Sequence, residues 1–143
     1  AVILTVLVQI VVLMVAGRLI FGIDWGTFSQ VVLSIVGIVL TASTFGVFVN
    51  AWIKNSKQGG VIYGAVLTVT GMIGMLPVFA MESGSAAMQT VSLFVPQGWA
   101  IRVLMQSMQA VAYPEVVISC LVCLALSLVF LAIGALRFQK RFA

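Results

Sequence analysis

The 143 residues include seven Lys or Arg, three Asp or Glu and no His, a formal net charge of +4, and 63% of them are hydrophobic against 7% charged. With a mean hydropathy of +1.28 the chain has too little polar surface to clothe a water-soluble domain of this size. Seven scattered cations make no basic stripe for nucleic acid, and a chain without His or a carboxylate cluster gives least support to a membrane-embedded enzyme.

Four long apolar stretches, at about 1–21, 28–53, 61–80 and 116–136, hold nearly all of this hydrophobicity. A helix needs ~20 residues at ~1.5 Å each to cross a ~30 Å hydrocarbon core, so each stretch predicts a transmembrane helix. The expected fold is an all-α membrane protein. It comprises four transmembrane helices plus a short re-entrant or interfacial helical hairpin on the outer side before the last span. The whole, residues 1–143, forms a single transmembrane domain.

In the first stretch Arg18 stands near one end, where it snorkels toward the headgroups or pairs with Asp24 in the gap that follows. Ala1 is not an initiator methionine, and no basic region or small-residue cleavage site surrounds the stretch. It therefore does not read as a signal peptide, and the chain is expected to be the C-terminal part of something longer. The second stretch is about 39 Å long if wholly helical, and must tilt or run on past the membrane. Thr41, Ser43, Thr44 and Asn50 in its later half turn toward other helices, bond back to their own helix, or line a polar path.

The third stretch carries a small-residue track of Gly60, Gly64, Thr68 and Gly71 on one helical face, and Gly60-x-x-x-Gly64 matches the small-xxx-small pattern of close helix contacts. Gly74 and Pro77 loosen or kink its end. Met72, Met75, Leu76 and Phe79 around them suit either an irregular core or a wall that accepts varied apolar ligands.

Residues 81–115 are too apolar for a solvated loop and too broken to span. Ser83-Gly84-Ser85 predicts the start of a short helix to about Phe94, and Pro96 the first turn of another to about Val111. In the second, Ile101, Leu104, Met105 and Met108 share one face, and Arg102, Gln106 and Gln109 the other. Trp99 is expected as a headgroup-level anchor. The last stretch contains Cys120-x-x-Cys123, read as small apolar packing rather than a redox or zinc motif.

Lys54, Lys57, Arg137, Lys140 and Arg141 fall on one side of a four-span arrangement, and Asp24, Glu82 and Glu115 on the other. The positive-inside rule then puts both termini in the cytoplasm, with Arg102 as the outer exception.

Three segments in order give the chain a family resemblance. Phe45 to Gly60, reading FGVFVNAWIKNSKQGG, resembles the short cytoplasmic turn between the fourth and fifth spans of the membrane subunits of type-2 ABC exporters. Phe94-Val95-Pro96-Gln97-Gly98-Trp99-Ala100 resembles the step before their last span, and the chain ends soon after a final helix, at Arg137 to Arg141. The resemblance maps the chain onto the last four of six spans. It implies a permease that pairs with a second copy or homologue, sits among membrane lipids, and associates with nucleotide-binding ATPase subunits. ATP and Mg would bind on those partner subunits and no cofactor on this chain, which agrees with the absence of a G-x-x-x-x-G-K-[ST] loop.

The resemblance also implies an exporter moving an amphiphilic, lipid or polymer substrate across the plasma membrane, the inner membrane of a bacterium. Its fifth span lines the cavity, which makes Thr68, Met72, Met75 and Leu76 candidate substrate-pathway residues. Gly60, Gly64 and Gly71 are then candidates for helix packing, and Pro96, Trp99 and Arg102 for an outer interfacial hairpin. A small four-helix secondary transporter and a non-transporting membrane scaffold are the alternatives. The first is weakened because all three acids fall in the gaps rather than inside a span.

Overall fold

A computed structural model describes residues 2–53, 56–83 and 85–142, and the side chains of 2–53, 57–79 and 85–139. Lys54, and the side chains of Glu82, Lys140 and Arg141, on which part of the charge reading rests, lie outside the described residues. The described residues form α1 (Val2–Phe21), α2 (Phe28–Asn50), α3 (Ser56–Gly74), α4 (Leu76–Ser83), α5 (Ala86–Ser92), α6 (Pro96–Met108) and α7 (Tyr113–Phe142), with no strand. By length and composition Val2–Phe21, Phe28–Asn50, Lys57–Phe79 and Tyr113–Gln139 are apolar enough to cross a membrane. The chain is an all-α, multi-pass membrane protein.

Local chemistry sets the ends of these helices. At the end of α1, Gly22 takes φ +67° and its N–H bonds the Arg18 carbonyl at 3.1 Å, an αL cap that glycine adopts without strain. The third span breaks at Met75, between Gly74 and Pro77. Proline has no N–H to give and its ring crowds the preceding turn, so the helix restarts as α4. Pro96 sits in the first turn of α6, where the missing N–H costs nothing.

The core of the bundle is the contact of α2 with α7, which run parallel and in register. Gly37 faces Cys120 and Cys123, with the nearest sulfur 3.6 Å from where a Cβ would stand. Further along, Phe45 and Phe48 meet Phe130 at centroid distances of 5.3 and 5.2 Å, Gly134 lies against Val47 and Phe48, and the Arg137 guanidinium stacks 3.6 Å over the Trp52 ring. The seam is built of small residues: Ser34, Gly37 and Thr41 on α2, and Ser119, Cys120, Cys123 and Ser127 on α7, are all buried. Lipid tails are as apolar as leucine, so helices associate here by close backbone approach rather than by escape from water. The two thiols are therefore packing groups, both free and buried.

The helix α6 lies antiparallel along the first half of α2 and also packs on α7 and α3. Its buried residues are Pro96, Gly98, Ala100, Val103, Gln106 and Ser107, whereas Met108 is 42% exposed. This corrects the expected amphipathic division of that helix, in which Gln106 faced outward and Met108 inward. The reason is that α6 docks between spans, where its small side chains, not its bulky ones, fit the neighbouring backbones. Arg18 and Asp24 do pair, at 3.7 Å, with both side chains well exposed.

The glycines separate internal packing from unused surface. Gly37→Leu overfills the α2–α7 seam, a change that costs ~1–3 kcal/mol, and should lower the melting temperature by several degrees. Gly64 has nothing within 4 Å of an added Cβ, so Gly64→Leu should leave that temperature unchanged, measured by differential scanning fluorimetry in detergent.

Candidate translocation site

The helix α6 holds α3 away from α2, because α3 packs chiefly on α6 and only lightly on α2. Between the three helices remains a cavity of about 460 Å³. Thr41, Ala42 and Phe45 of α2 form one wall, Leu67, Gly71 and Met75 of α3 a second, and Pro96, Gln97 and Ala100 of α6 a third. A groove of about 570 Å³ runs along α3 and α4, and shares Leu67, Gly71 and Met75 with the cavity. On the far side of α6, between α1 and α2, an apolar cavity of about 350 Å³ shares Ile38, Ala100 and Ile101 with the first.

The lining is apolar with two buried polar exceptions. Gln97 donates through Nε2 to Thr70 Oγ1 at 2.8 Å, and Thr70 bonds back to the Val66 carbonyl. Its Oε1 is buried without a hydrogen-bond partner among the described residues. Thr41 Oγ1, on a residue 3% exposed, also lacks one, apart from the soft Cys123 thiol beside it. Among the described residues no acidic or basic side chain lines this cavity. The arrangement suits binding of an apolar body, not bond cleavage.

Thr68, Met72, Met75 and Leu76 all line the α3–α4 groove, and of the four only Met75 also reaches the inter-helix cavity. Gly71 lines both spaces, whereas Gly60 and Gly64 stand on an exposed face with nothing within 4 Å. Pro96 lines the cavity at the start of α6. Trp99, expected at headgroup level, packs its ring on the buried cluster of Val103, Val116 and Cys123, and its indole N–H bonds the Leu93 carbonyl at 2.9 Å. Arg102 is exposed and lies 5.5 Å over that ring. Sequence reasoning did not mark Gln97 or Ala42, whereas it placed Thr41 among the residues that contact other helices or line a polar path. An amide inside the apolar run 93–101 is the signal that marks Gln97.

Close backbone contact fixes α6 in place. A Cβ on Gly98 would run into the Ser92 carbonyl, and one on Gly74 would stand 2.7 Å from Gln97 Cβ. Gly98→Ala should therefore open the α5–α6 turn and raise hydrogen–deuterium exchange across 86–108. Gly22→Ala meets no neighbour, strains only its own backbone by ~1–2 kcal/mol, and should leave that exchange unchanged.

A family model described as ABC-2 family transporter protein matches residues 1–136. Comparison with curated proteins and with solved structures gives no match. The long apolar helices, the inter-helix cavity and the family match over nearly the whole chain converge: the chain belongs to the ABC-2 family of transporter proteins, as a membrane-spanning component of an ABC transport system.

Proposed function

We propose that the chain is the permease of an ATP-driven exporter that moves an amphiphile, lipid or lipid-linked polymer out of the cytoplasm through the space bounded by α2, α3 and α6. The observation that carries this reading is the cavity itself: an apolar chamber between α2, α3 and α6, joined along α3 to an open groove. Such a lining accepts an apolar body of variable shape, since Met and Leu adapt.

In this reading ATP and Mg bind on partner nucleotide-binding subunits, and a second permease copy or homologue completes the path. Gly60, Gly64 and Gly71 supply a face for that second copy, and Thr68, Met72, Met75 and Leu76 line the route. The helices α5 and α6 form a re-entrant hairpin that caps the outer end, with Pro96 at its inner turn, Trp99 as its internal brace and Arg102 toward the outer face. The chain lies in the plasma membrane with its C-terminus in the cytoplasm. Lys57 and Arg137 near the ends of the spans support that orientation.

The test is turnover of the intact protein reconstituted with its ATPase in lipid vesicles. Ala42 stands on the cavity wall and is itself exposed, so Ala42→Phe fills the chamber without disturbing the core. It should reduce amphiphile-stimulated ATP hydrolysis by roughly tenfold, the equivalent of ~1.4 kcal/mol, while leaving basal hydrolysis and melting temperature unchanged. Stimulated turnover that survives this substitution in full would remove the cavity from the pathway. A reconstituted complex with no amphiphile-stimulated turnover would remove the exporter reading.

A further inference from the structure

One stripe of α3 bounds the chamber and also fixes that helix at both ends. Tyr63, Leu67, Thr70, Gly71 and Gly74 recur at the helical interval and so share a face. The Tyr63 hydroxyl donates to the Gly46 carbonyl of α2. Leu67 and Gly71 line the chamber, Thr70 accepts the hydrogen bond from Gln97, and Gly74 lies too close to Gln97 and Gly98 to admit a Cβ. On α2, Gly46 is the lining residue nearest the end of the helix. The Tyr63 bond therefore stands where the chamber ends, one turn before Leu67, and holds α3 against α2 there.

Three observations make this bond releasable. First, α3 packs only lightly on α2, and Gly60 and Gly64, which flank Tyr63, have nothing within 4 Å of an added Cβ. Ile53 lies by Gly59, but within the 51–55 link that joins the two helices, so this end of α3 can swing although it cannot leave. Second, α2 runs on to Asn50, so the Gly46 carbonyl keeps its place in the i to i+4 ladder of that helix when the tyrosine departs. A carbonyl that is not stranded makes release cost no more than one neutral hydrogen bond. Third, the other end of α3 is anchored at Thr70 and Gly74, so a displacement of the helix falls on the Tyr63 end.

The chamber with the bond made measures about 460 Å³, in the lower half of the ~300–1,000 Å³ range of ligand pockets. A slender apolar body fits it as it stands. A wide, rigid one must press α3 away from α2, and the Tyr63 bond opposes that.

We propose that Tyr63 is a specificity-determining residue of the chamber: its bond to the Gly46 carbonyl is a latch that keeps the chamber narrow, and a bulky apolar substrate binds only with the latch broken. The proposal rests on the reading above in taking the chamber as a binding space, but not on the direction or energy source of transport. A ligand that needs the open form binds with an affinity reduced by the fraction of molecules that are open. Tyr63→Phe removes the hydroxyl and keeps the ring, so that fraction should rise about fivefold, the equivalent of ~1 kcal/mol.

The experiment is photolabelling of the intact protein in lipid nanodiscs with two diazirine probes, an octanol as the slender body and a sterol as the wide, rigid one. Mass spectrometry locates the adducts on 38–46, 67–75 and 96–101. Tyr63→Phe should raise sterol labelling of these residues about fivefold and leave octanol labelling within about twofold. A tyrosine that only stabilises the fold would give no such split. Ala42→Phe, which fills the chamber, should remove the adducts of both probes. Unchanged sterol labelling in Tyr63→Phe, with octanol adducts present, would overturn the latch and leave the chamber standing. An equal rise for both probes would mean a general loosening of α3 and would overturn it too. Adducts from neither probe, or adducts that survive Ala42→Phe, would remove the chamber as a binding space and the latch with it, whatever the reconstituted complex does in the turnover test.

Discussion

A short helix in apolar surroundings is held firmly where polar groups meet, and α6 and the residues after it are tied in this way to the first half of α2 and the turn before it. Gln30 Nε2 donates to the Val111 carbonyl at 2.9 Å and Ser107 Oγ to the Trp25 carbonyl at 2.6 Å, while the Ser34 hydroxyl, bonded at 2.8 Å to the Gln30 carbonyl of its own helix, lies 3.4 Å from the Val103 carbonyl. Hydrocarbon offers no substitute for these bonds, and a stranded carbonyl there costs several kcal/mol. Gly26, at φ +92°, makes the approach possible, because a Cβ at that position would run into the Ser107 carbonyl. With α6 held in this way, α3 is kept off α2 and the chamber between the three helices exists.

The bundle therefore divides into a firmly joined part and a loosely joined one. Along α2 and α7 the contact runs from Gly37 to Trp52 without a break, closed at one end by the cluster of Phe45, Phe48 and Phe130 and by Arg137 over Trp52. Among the described residues α1 packs on α2 alone of the helices, and α3 mainly on α6. Regions with few packed contacts open at low free-energy cost, so of the helices that bound the cavities α1 and α3 are the ones freest to shift.

Much of the fold was legible because hydrocarbon imposes simple rules. Apolar runs of sufficient length become spans, Pro96 opens a helix, and the Gly74–Pro77 interval breaks one. The face that α6 buries was not legible. Sorting Gln106 with Arg102 treats the helix as if it lay at a water–lipid boundary, whereas it docks on neighbours that admit Gly98, Ala100 and Ser107 more readily than Met108. The small-residue rule was sound but pointed first to α3, where Gly60-x-x-x-Gly64 is conspicuous. The seam made within this chain uses Ser34, Gly37 and Thr41 against Ser119, Cys123 and Ser127, a set with no motif to announce it. For the site, residue type singled out the methionines of α3, but the pairing of Gln97 with Thr70 depends on a turn 27 positions away that no periodicity encodes.

That pairing bears on how a chamber of this kind can work. The Gln97–Thr70 hydrogen bond is the polar link given by the described residues between α3 and α6, and a neutral hydrogen bond contributes ~0.5–1.5 kcal/mol net. The other close contact, Gly74 against Gln97 and Gly98, lies at the end of α3 where the helix already breaks at Met75. Nearer its other end α3 is also tied to α2, where the Tyr63 hydroxyl donates to the Gly46 carbonyl. A helix held by two hydrogen bonds and one junction can still tilt about that junction at lower cost than separating the aromatic seam of α2 and α7. On the proposed reading, a second permease copy packed on the bare face of Gly60 and Gly64 would grip α3 near its opposite end. The same helix would then carry both the subunit contact and one wall of the chamber, so a change at one would widen or narrow the other with no need to unpack the core.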